Sequence, residues 1–433
     1  MPIQNNTDGG YVLGRWESYR VVILLFFLYM FNYIDRMVIT SVFPFIKAEW
    51  GLSDTQLGGL GSAVYISLLI CTLPVSVLAD RWSRRKSIAM MTALWSVATA
   101  ACALTRNYVQ IFTARVFIGL GEAGFAPAGT AMIAAAFPQE RQALMMGLWN
   151  ASIPIGSALG VILGGLIAVH FGWRYVFGLV ALPGLLLAAL AYRLKDYKTV
   201  GLCAGAGDEV AGSIRTFGFG NIVKGFLKTP SLIAAYFGFA GNTFVTTAML
   251  IWLPTYLNRT YGLPMDVAGL RAGLIMFFGL VGAPLGGYLA DLWYRRHKAA
   301  RMWFPAISSA TSAVILFVSL NFFRGDLQFA SFLLLGVSFM AFIPATSAVT
   351  QDVVHPGLRA TSFSMCVITQ HVFGSMMGPL VVGMISDAYG IEKALLALPL
   401  SQIVACVIFL VGAPYYTRDL ERIPPITLVR EGS

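Results

Sequence analysis

Ser76-Val77-Leu78-Ala79-Asp80-Arg81-Trp82-Ser83-Arg84-Arg85-Lys86 and Gly287-Tyr288-Leu289-Ala290-Asp291-Leu292-Trp293-Tyr294-Arg295-Arg296-His297 are two versions of one signature, half a chain apart. In each, a small residue stands four positions ahead of an Asp that ends an apolar run, and a short basic turn leads into the next apolar run. The two Asp lie 211 residues apart in a chain of 433. A duplication of that length implies two halves of like topology, the construction of polytopic membrane transporters.

Composition agrees. Hydrophobic residues make up 57% of the chain and charged residues 12%, which excludes an ordinary soluble domain. The net charge of +10 does not indicate nucleic acid, because the bases fall in short loops between apolar runs long enough to cross a bilayer. Of the five Cys, four (Cys71, Cys102, Cys366, Cys406) lie inside apolar runs and Cys203 in a loop, with no C-x-x-C spacing, so no disulfide or metal framework is expected. Met1 to Tyr19 is polar and lacks a cleavable signal pattern, so the first apolar run is expected to remain as a span.

Apolar runs between charged or Pro/Gly-rich turns predict an all-α integral membrane protein of twelve spans: about 20–46, 56–79, 87–105, 109–137, 142–170, 173–194, 230–258, 265–290, 301–321, 326–352, 358–388 and 392–415. The expected organisation is a cytoplasmic tail (1–19), a six-helix half (20–194), a cytoplasmic linker (195–229), a second six-helix half (230–415) and a cytoplasmic tail (416–433). With both termini inside, cytoplasmic segments hold 21 of the 30 Lys and Arg and external loops hold 7. The two remaining bases are Arg36 on the first span and Arg115 on the fourth.

Asp35 and Glu122 are the acids clearly inside spans, and they occupy the same two helices as those bases. Intramembrane ions normally face the bundle interior and mark a substrate or proton path. Asp35 is 15 residues from Arg20 at the inner surface, roughly 22 Å along a helix, and Arg115 is seven residues from Tyr108 at the outer surface, roughly 10 Å. Similar depth makes Asp35 with Arg115 the expected ion pair. Glu122 follows Arg115 by nearly two turns and forms a second protonatable group near the midplane. The proton affinity of a buried carboxyl depends on a neighbouring guanidinium, which couples proton movement to a shift of Arg115 and lets a substrate anion compete for it. A static cluster joining the two helices is the bland counterpart. Arg36 points about 100° around the helix from Asp35 and either braces a loop or meets the substrate.

The hairpins also carry two readings. Asp80 with Arg81 and Arg85, mirrored by Asp291 with Arg295 and Arg296, forms either ion pairs locking the cytoplasmic seam or a positive-inside anchor. Arg84 and Lys86 fit the anchor. The second half has no acid matching Asp35. It offers an apolar and aromatic wall (Phe239, Phe244, Trp252, Phe339, Phe342) and hydrogen-bonding candidates at Asn242, Gln351, Gln370 and His371, with Asn32 on the first helix. His371 can shuttle protons near neutral pH or serve as packing.

The paired hairpins, twelve spans and long central linker resemble the major facilitator superfamily over nearly the whole chain. Ser76 and Ser83 stand where the superfamily motif usually has Gly, and Leu292 where its second copy often has a base. The resemblance implies alternating access, with a central site between two rocking six-helix halves. Phe31-Asn32-Tyr33-Ile34-Asp35-Arg36 and Arg115-Val116-Phe117-Ile118-Gly119-Leu120-Gly121-Glu122-Ala123 are similar to both the Spinster-like transporters and the organic anion:cation symporters. His371-Val372-Phe373-Gly374, Gly378-Pro379, Gly383 and Ser386-Asp387, after Asp352-Val353-Val354, resemble the Spinster pattern. In these families the residues matching Asp35, Arg36, Arg115 and Glu122 are implicated in proton coupling and anion recognition, and the cargo ranges from sugar acids to lysolipids. Gly156, Gly160 and Gly164-Gly165 in the fifth helix have the four-residue spacing of close helix packing. Pro154 precedes Gly156, so the Gly-Pro pair of superfamily antiporters is incomplete and direction stays open.

No H-E-x-x-H, G-x-S-x-G or G-x-x-x-x-G-K-[ST] motif occurs, and no His pair has metal spacing, so an enzyme is not expected. The expected function is proton-coupled transport of an organic anion, either a small carboxylate or sugar acid or a lysolipid-like amphiphile. Asp35 and Glu122 cycle protons, Arg36, Arg115, Asn32, Asn242 and His371 bind the anion, and the proton gradient replaces any cofactor. The alternatives are a drug or metabolite efflux antiporter and a non-transporting receptor. The expected setting is a monomer in a bacterial inner membrane, partnered by lipid, protons and substrate.

Overall fold

The computed structural model describes residues 14–81, 84–194, 225–354 and 358–422, and every regular element among them is helical. The first half comprises α1 (Arg15–Met37), a 3-10 turn (Val38–Ser41), α2 (Phe43–Trp50), α3 (Asp54–Arg81), α4 (Arg84–Cys102), α5 (Tyr108–Glu122), α6 (Phe125–Ala136), α7 (Gln139–Asn150), α8 (Ser152–Phe171) and α9 (Trp173–Tyr192). The second comprises α10 (Pro230–Tyr261), α11 (Met265–Tyr294), α12 (Ala300–Phe322), α13 (Gly325–Ala341), α14 (Ile343–Asp352), α15 (Arg359–Gln370), a π-turn (His371–Ser375), α16 (Met377–Tyr389), α17 (Ile391–Leu396) and α18 (Leu398–Glu421). The expected linker lies almost wholly outside the described residues, as do both chain ends.

Among the described residues, eleven helical stretches rather than the expected twelve are long and apolar enough to cross a membrane. The third expected span is occupied by α4, 19 residues long. It opens on Arg84, Arg85 and Lys86 and buries the hydroxyls of Thr92, Ser96 and Thr99, which dilute its hydropathy. Large apolar side chains such as Leu186, Val281, Leu334 and Val411 are exposed on the outside, where a soluble protein carries polar groups. The multi-pass membrane character follows from both observations.

Glycine sets how close the helices run. A Cβ at Gly156 would collide with the Met30 carbonyl, and one at Gly160 would lie 2.8 Å from the Ile34 carbonyl, so α8 packs directly on the backbone of α1. On its other side α8 meets α11, where Gly165 faces the Met265 carbonyl and Gly269 the Val161 carbonyl at 2.7 Å. The two halves therefore touch along α8 with α11 and along α3 with α16. Small residues permit such contacts where lipid offers no hydrophobic drive for association.

Among the described residues six of the expected continuous spans are interrupted (the first, fourth, fifth, tenth, eleventh and twelfth), and three of these breaks bear on the site. The first passes into its 3-10 turn directly after Met37, the fourth breaks between Glu122 and Phe125, and the eleventh loosens into the π-turn at His371. Irregular backbone at membrane depth persists only where other groups satisfy it or a cavity is lined. Here Thr40 donates to the Met37 carbonyl at 2.8 Å and Ser41 to the Val161 carbonyl at 2.7 Å.

Candidate substrate and coupling site

The three interruptions converge on one buried charged cluster. Arg36, in the last turn of α1, donates from Nη2 to Glu122 Oε2 at 2.5 Å and from Nε to the same oxygen at 3.2 Å. Its Nη2 also lies 3.5 Å from Asn32 Oδ1. The guanidinium faces the Tyr33 and Tyr65 rings, 4.8 and 5.5 Å from their centroids. Glu122 Oε1 and Asn32 Nδ2 have no hydrogen-bond partner among the described residues.

Gly119 and Gly121 make this position possible. Gly119 lets α5 press against the Val64 carbonyl of α3, and a Cβ at Gly121 would lie 2.7 Å from the Trp95 nitrogen of α4. The short spacing Arg115-x-x-x-Gly119-x-Gly121-Glu122 thus drives both charged side chains inward between α1, α3 and α4.

The expected Asp35–Arg115 ion pair is not formed, and Arg36 with Glu122 takes its place. Arg115 is fully buried, but it donates to main-chain carbonyls: Nε to Leu60 at 2.7 Å on α3, and Nη2 to Arg36 at 3.3 Å, next to the 3-10 turn. Both carboxylate oxygens of Asp35 are without a partner among the described residues. Glu122 and Arg115 are the charged groups that act on it through space, and the Thr99 hydroxyl stands beside it. Helix rise gives depth but not the direction around the axis. The 100° offset between Asp35 and Arg36 decides which of the two meets Glu122 on α5.

From the second half, His371 reaches the cluster at the head of the π-turn. Its ring lies 5.6 Å from that of Tyr65, the Arg36 charge acts on it through space, and its Nδ1 has no partner among the described residues. Asn242 is not available in the same way. Its Nδ2 donates to Gly238 O at 3.1 Å and to Ser309 Oγ at 2.9 Å, so its amide ties α10 to α12.

Of the hairpin residues, Arg85 and Asp291 make their contacts within their own halves. Arg85 donates to the Leu194 carbonyl at 2.9 Å and caps the end of α9 in its own half. Asp291 lies 3.8 Å from Arg301, which pairs with Asp352, and Tyr416 donates to Asp352 at 2.8 Å, all within the second half. Arg295 and Arg296 are exposed, with no ion pair among the described residues. The side chains of Asp80 and Arg81 lie outside the described ones.

The charge network that does cross the seam sits at the opposite face, and the sequence did not disclose it. Asp54, the first residue of α3, accepts from Arg259 at 2.7 and 2.8 Å, from Lys47 at 2.5 Å and from Ser386 at 2.6 Å. Asp387 in turn accepts from the Asp54 and Thr55 amides at 2.6 and 2.8 Å and from the Thr55 hydroxyl at 2.6 Å. In the sequence Ser53-Asp54 looks like an ordinary helix start. The available signal was the scarcity of bases on that face, which made Lys47 and Arg259 candidates for dedicated partners.

Residues 25–379 match the family model of the Major Facilitator Superfamily. The chain belongs to that superfamily. Its members are transporters rather than enzymes, and within it the chain is Spinster-like. It is 27% identical to protein spinster homolog 1 of Xenopus laevis over 86% of this chain and 73% of that one. It is 28% identical to an MFS-type efflux pump of Mycolicibacterium smegmatis over 96% of this chain and 97% of the pump. Among solved structures, a bacterial homolog of the human lysosomal transporter Spinster, inward-facing and unoccupied, superposes with a TM-score of 0.81 at 21% identity, covering 93% of this chain and 98% of that one. No group of three or more His, Cys, Asp or Glu among the described residues could hold a metal ion.

Proposed function

We propose that this facilitator moves an organic anion by proton-coupled alternating access. The observation that carries the reading is the single-oxygen pairing of Arg36 with Glu122, beside His371 from the other half. A proton on Glu122 and an anion on Arg36 are exchangeable ways of ending that pair. Protonation frees the guanidinium for the anion, and loss of both the anion and the proton returns Arg36 to the Glu122 carboxylate. Asp35, buried and without a hydrogen-bond partner among the described residues, is the second proton site. Two buried guanidiniums disfavour a cationic cargo, and the rings of Tyr33 and Tyr65 suit the apolar body of an amphiphilic or aromatic carboxylate.

The twelve-span arrangement is part of this proposal, with α4 as the third span and both termini cytoplasmic by the distribution of bases. So is the assignment of 1–19, 195–229 and 416–433 as cytoplasmic segments. In that orientation the Asp54 network closes the outer side, and the state is inward-facing, like the state named for the bacterial Spinster homolog. The likeness to a mycobacterial efflux pump favours export as a second reading of direction.

The test is proton flux into energised liposomes holding purified wild type, Asp35→Asn or Glu122→Gln, with glucuronate, benzoate or lysophosphatidic acid as cargo. Anion-triggered flux in wild type and its loss in both variants supports the reading. Full pH-driven flux in both variants refutes the coupling, and no flux with any anion refutes the substrate class.

A further inference from the structure

The second half carries a cavity of its own, built without any residue of the central cluster. It lies where the ends of α10 and α12 meet the start of α17, and its volume is about 360 Å³. Arg324, between α12 and α13, and Glu392, at the start of α17, both line it, and Tyr256, Leu320, Asn321 and Leu396 complete the lining. The two charges share one cavity without pairing with each other. Arg324 bends back on α12, donating from Nη1 to the Leu320 carbonyl at 2.8 Å and the Phe323 carbonyl at 3.2 Å. That satisfies the helix end with one nitrogen and leaves the rest of the guanidinium fork to other acceptors. Asp326, the acid nearest to Arg324 along the chain, turns instead to Arg271 at 3.3 Å. Glu392 is exposed, with no hydrogen bond or ion pair among the described residues. The buried side of the cavity is fixed. Tyr256 is 2% exposed and donates its hydroxyl to Gln328 Oε1 at 3.3 Å, and Gln328 is itself held by the Tyr261 hydroxyl at 2.7 Å and the Ser319 carbonyl at 2.8 Å.

We infer that this cavity binds a small zwitterion of the amino-acid type, with its carboxylate on Arg324, its ammonium on Glu392 and its side chain against Leu320, Leu396 and the Tyr256 ring. The free part of the fork offers charge-assisted hydrogen bonds to a carboxylate, and the Glu392 carboxylate offers them to an ammonium. A ligand with one charge engages only one of these groups. A zwitterion supplies the partner that each lacks and brings no net charge into the cavity. The leucines and the tyrosine ring add apolar surface, which favours an amino acid with an aliphatic side chain over glycine. Every lining residue belongs to the second half, so the site is distinct from the Arg36–Glu122 pair of the first. With both termini cytoplasmic, as proposed above, the cavity lies on the external side, and its ligand comes from the external medium.

The experiment is calorimetric titration of the purified full-length protein in detergent with L-leucine, with leucine amide, which lacks the carboxylate, and with N-acetylleucine, which lacks the ammonium. Wild type is expected to bind leucine at least about tenfold more tightly than either derivative, and Arg324→Gln and Glu392→Gln are each expected to weaken leucine by about tenfold or more. Melting temperatures without ligand, expected to match wild type in both variants, separate a lost contact from a lost fold. Hydrogen exchange in wild type is expected to slow over the end of α12 and over α17 when leucine is added. Leucine binding that survives both variants but is lost in Arg36→Lys places the ligand in the central cluster and overturns the inference. Equal affinity for leucine and either derivative overturns the zwitterion class, and absence of leucine binding to wild type overturns the site. None of these outcomes depends on whether the protein couples an anion to protons.

Discussion

Arg36 and Glu122 meet through one carboxylate oxygen, Oε2, which accepts from both Nε and Nη2 of the guanidinium, while Oε1 stays without a partner among the described residues. A fork-to-fork pair would satisfy both oxygens and be harder to break. The one-sided geometry leaves a protonation position open beside an intact contact. It suits a pair that has to be exchanged during a cycle better than one that has only to hold helices together.

That distinction separates stability from activity. Arg36→Met alone or Glu122→Met alone leaves a buried charge unpaired and is expected to cost about 3–5 kcal/mol. The double change Arg36→Met with Glu122→Met removes both charges at similar volume. It is expected to restore most of the melting temperature in detergent while anion uptake stays abolished. Recovery of uptake in the double variant would mean that the pair is only structural.

Arg115 is expected to behave differently from Arg36. Its guanidinium holds the Leu60 and Arg36 carbonyls, so Arg115→Met removes charged hydrogen bonds worth about 1.5–3 kcal/mol each. Thermal stability should fall, and the apparent affinity of the remaining folded protein for anion should change far less than in Arg36→Lys. Binding by isothermal calorimetry alongside thermal denaturation decides it. A large affinity loss at unchanged stability would return Arg115 to the substrate site.

Glu49 carries a pH signature outside the spans. Hydrogen bonds from Arg174, then from Trp173, hold its carboxyl at about 2 against the ordinary 4.5. A carboxyl whose folded value is depressed stabilises the fold above its unfolded value, and that contribution is lost as pH falls toward the folded one. Between about pH 4.5 and about 2 the wild type should therefore lose a stability increment that Glu49→Gln lacks at every pH. The Glu49 carboxylate is partly exposed, so the increment is small. Melting curves in detergent across that window, followed by tryptophan fluorescence, test it. Parallel curves for the two proteins would remove Glu49 from the account.

Much of this arrangement is legible in the chain because membrane depth is one-dimensional. Hydropathy places the spans, and rise per residue brings Asp35, Arg36 and Arg115 to similar depth with Glu122 nearly two turns from Arg115. The pairing among the four is not legible in that way. It depends on the turn of α1 about its axis and on the 3-10 segment beside which Arg115 takes the Arg36 carbonyl. Asp54 was hidden for a different reason: its partners in the other half, Arg259 and Ser386, lie 205 and 332 residues away. Nothing local distinguishes it from a helix start. Among the hairpin residues Arg85 shows how the same basic turn that anchors topology also supplies a cap within one half, at Leu194.

The glycines of the fifth expected span give the sharpest contrast between two substitutions of one kind. Gly147, in α7, has nothing within 4 Å of where a Cβ would stand, whereas at Gly156, in α8, the same atom would meet the Met30 carbonyl of α1. Gly147→Ala removes a flexible residue from a helix at an open position, so it is expected to be neutral or to stabilise by up to about 1 kcal/mol. Gly156→Ala has no flexible side-chain end to displace, because the obstacle is backbone, and α1 has to move away from α8. Since α1 carries Asp35 and Arg36, that movement should slow anion uptake as well as lower the melting temperature, with overpacking of this kind costing roughly 1–3 kcal/mol. Parallel purification and uptake assays of the two variants compare them directly. Equal behaviour would show that α1 does not depend on the backbone contact at Met30 for its position.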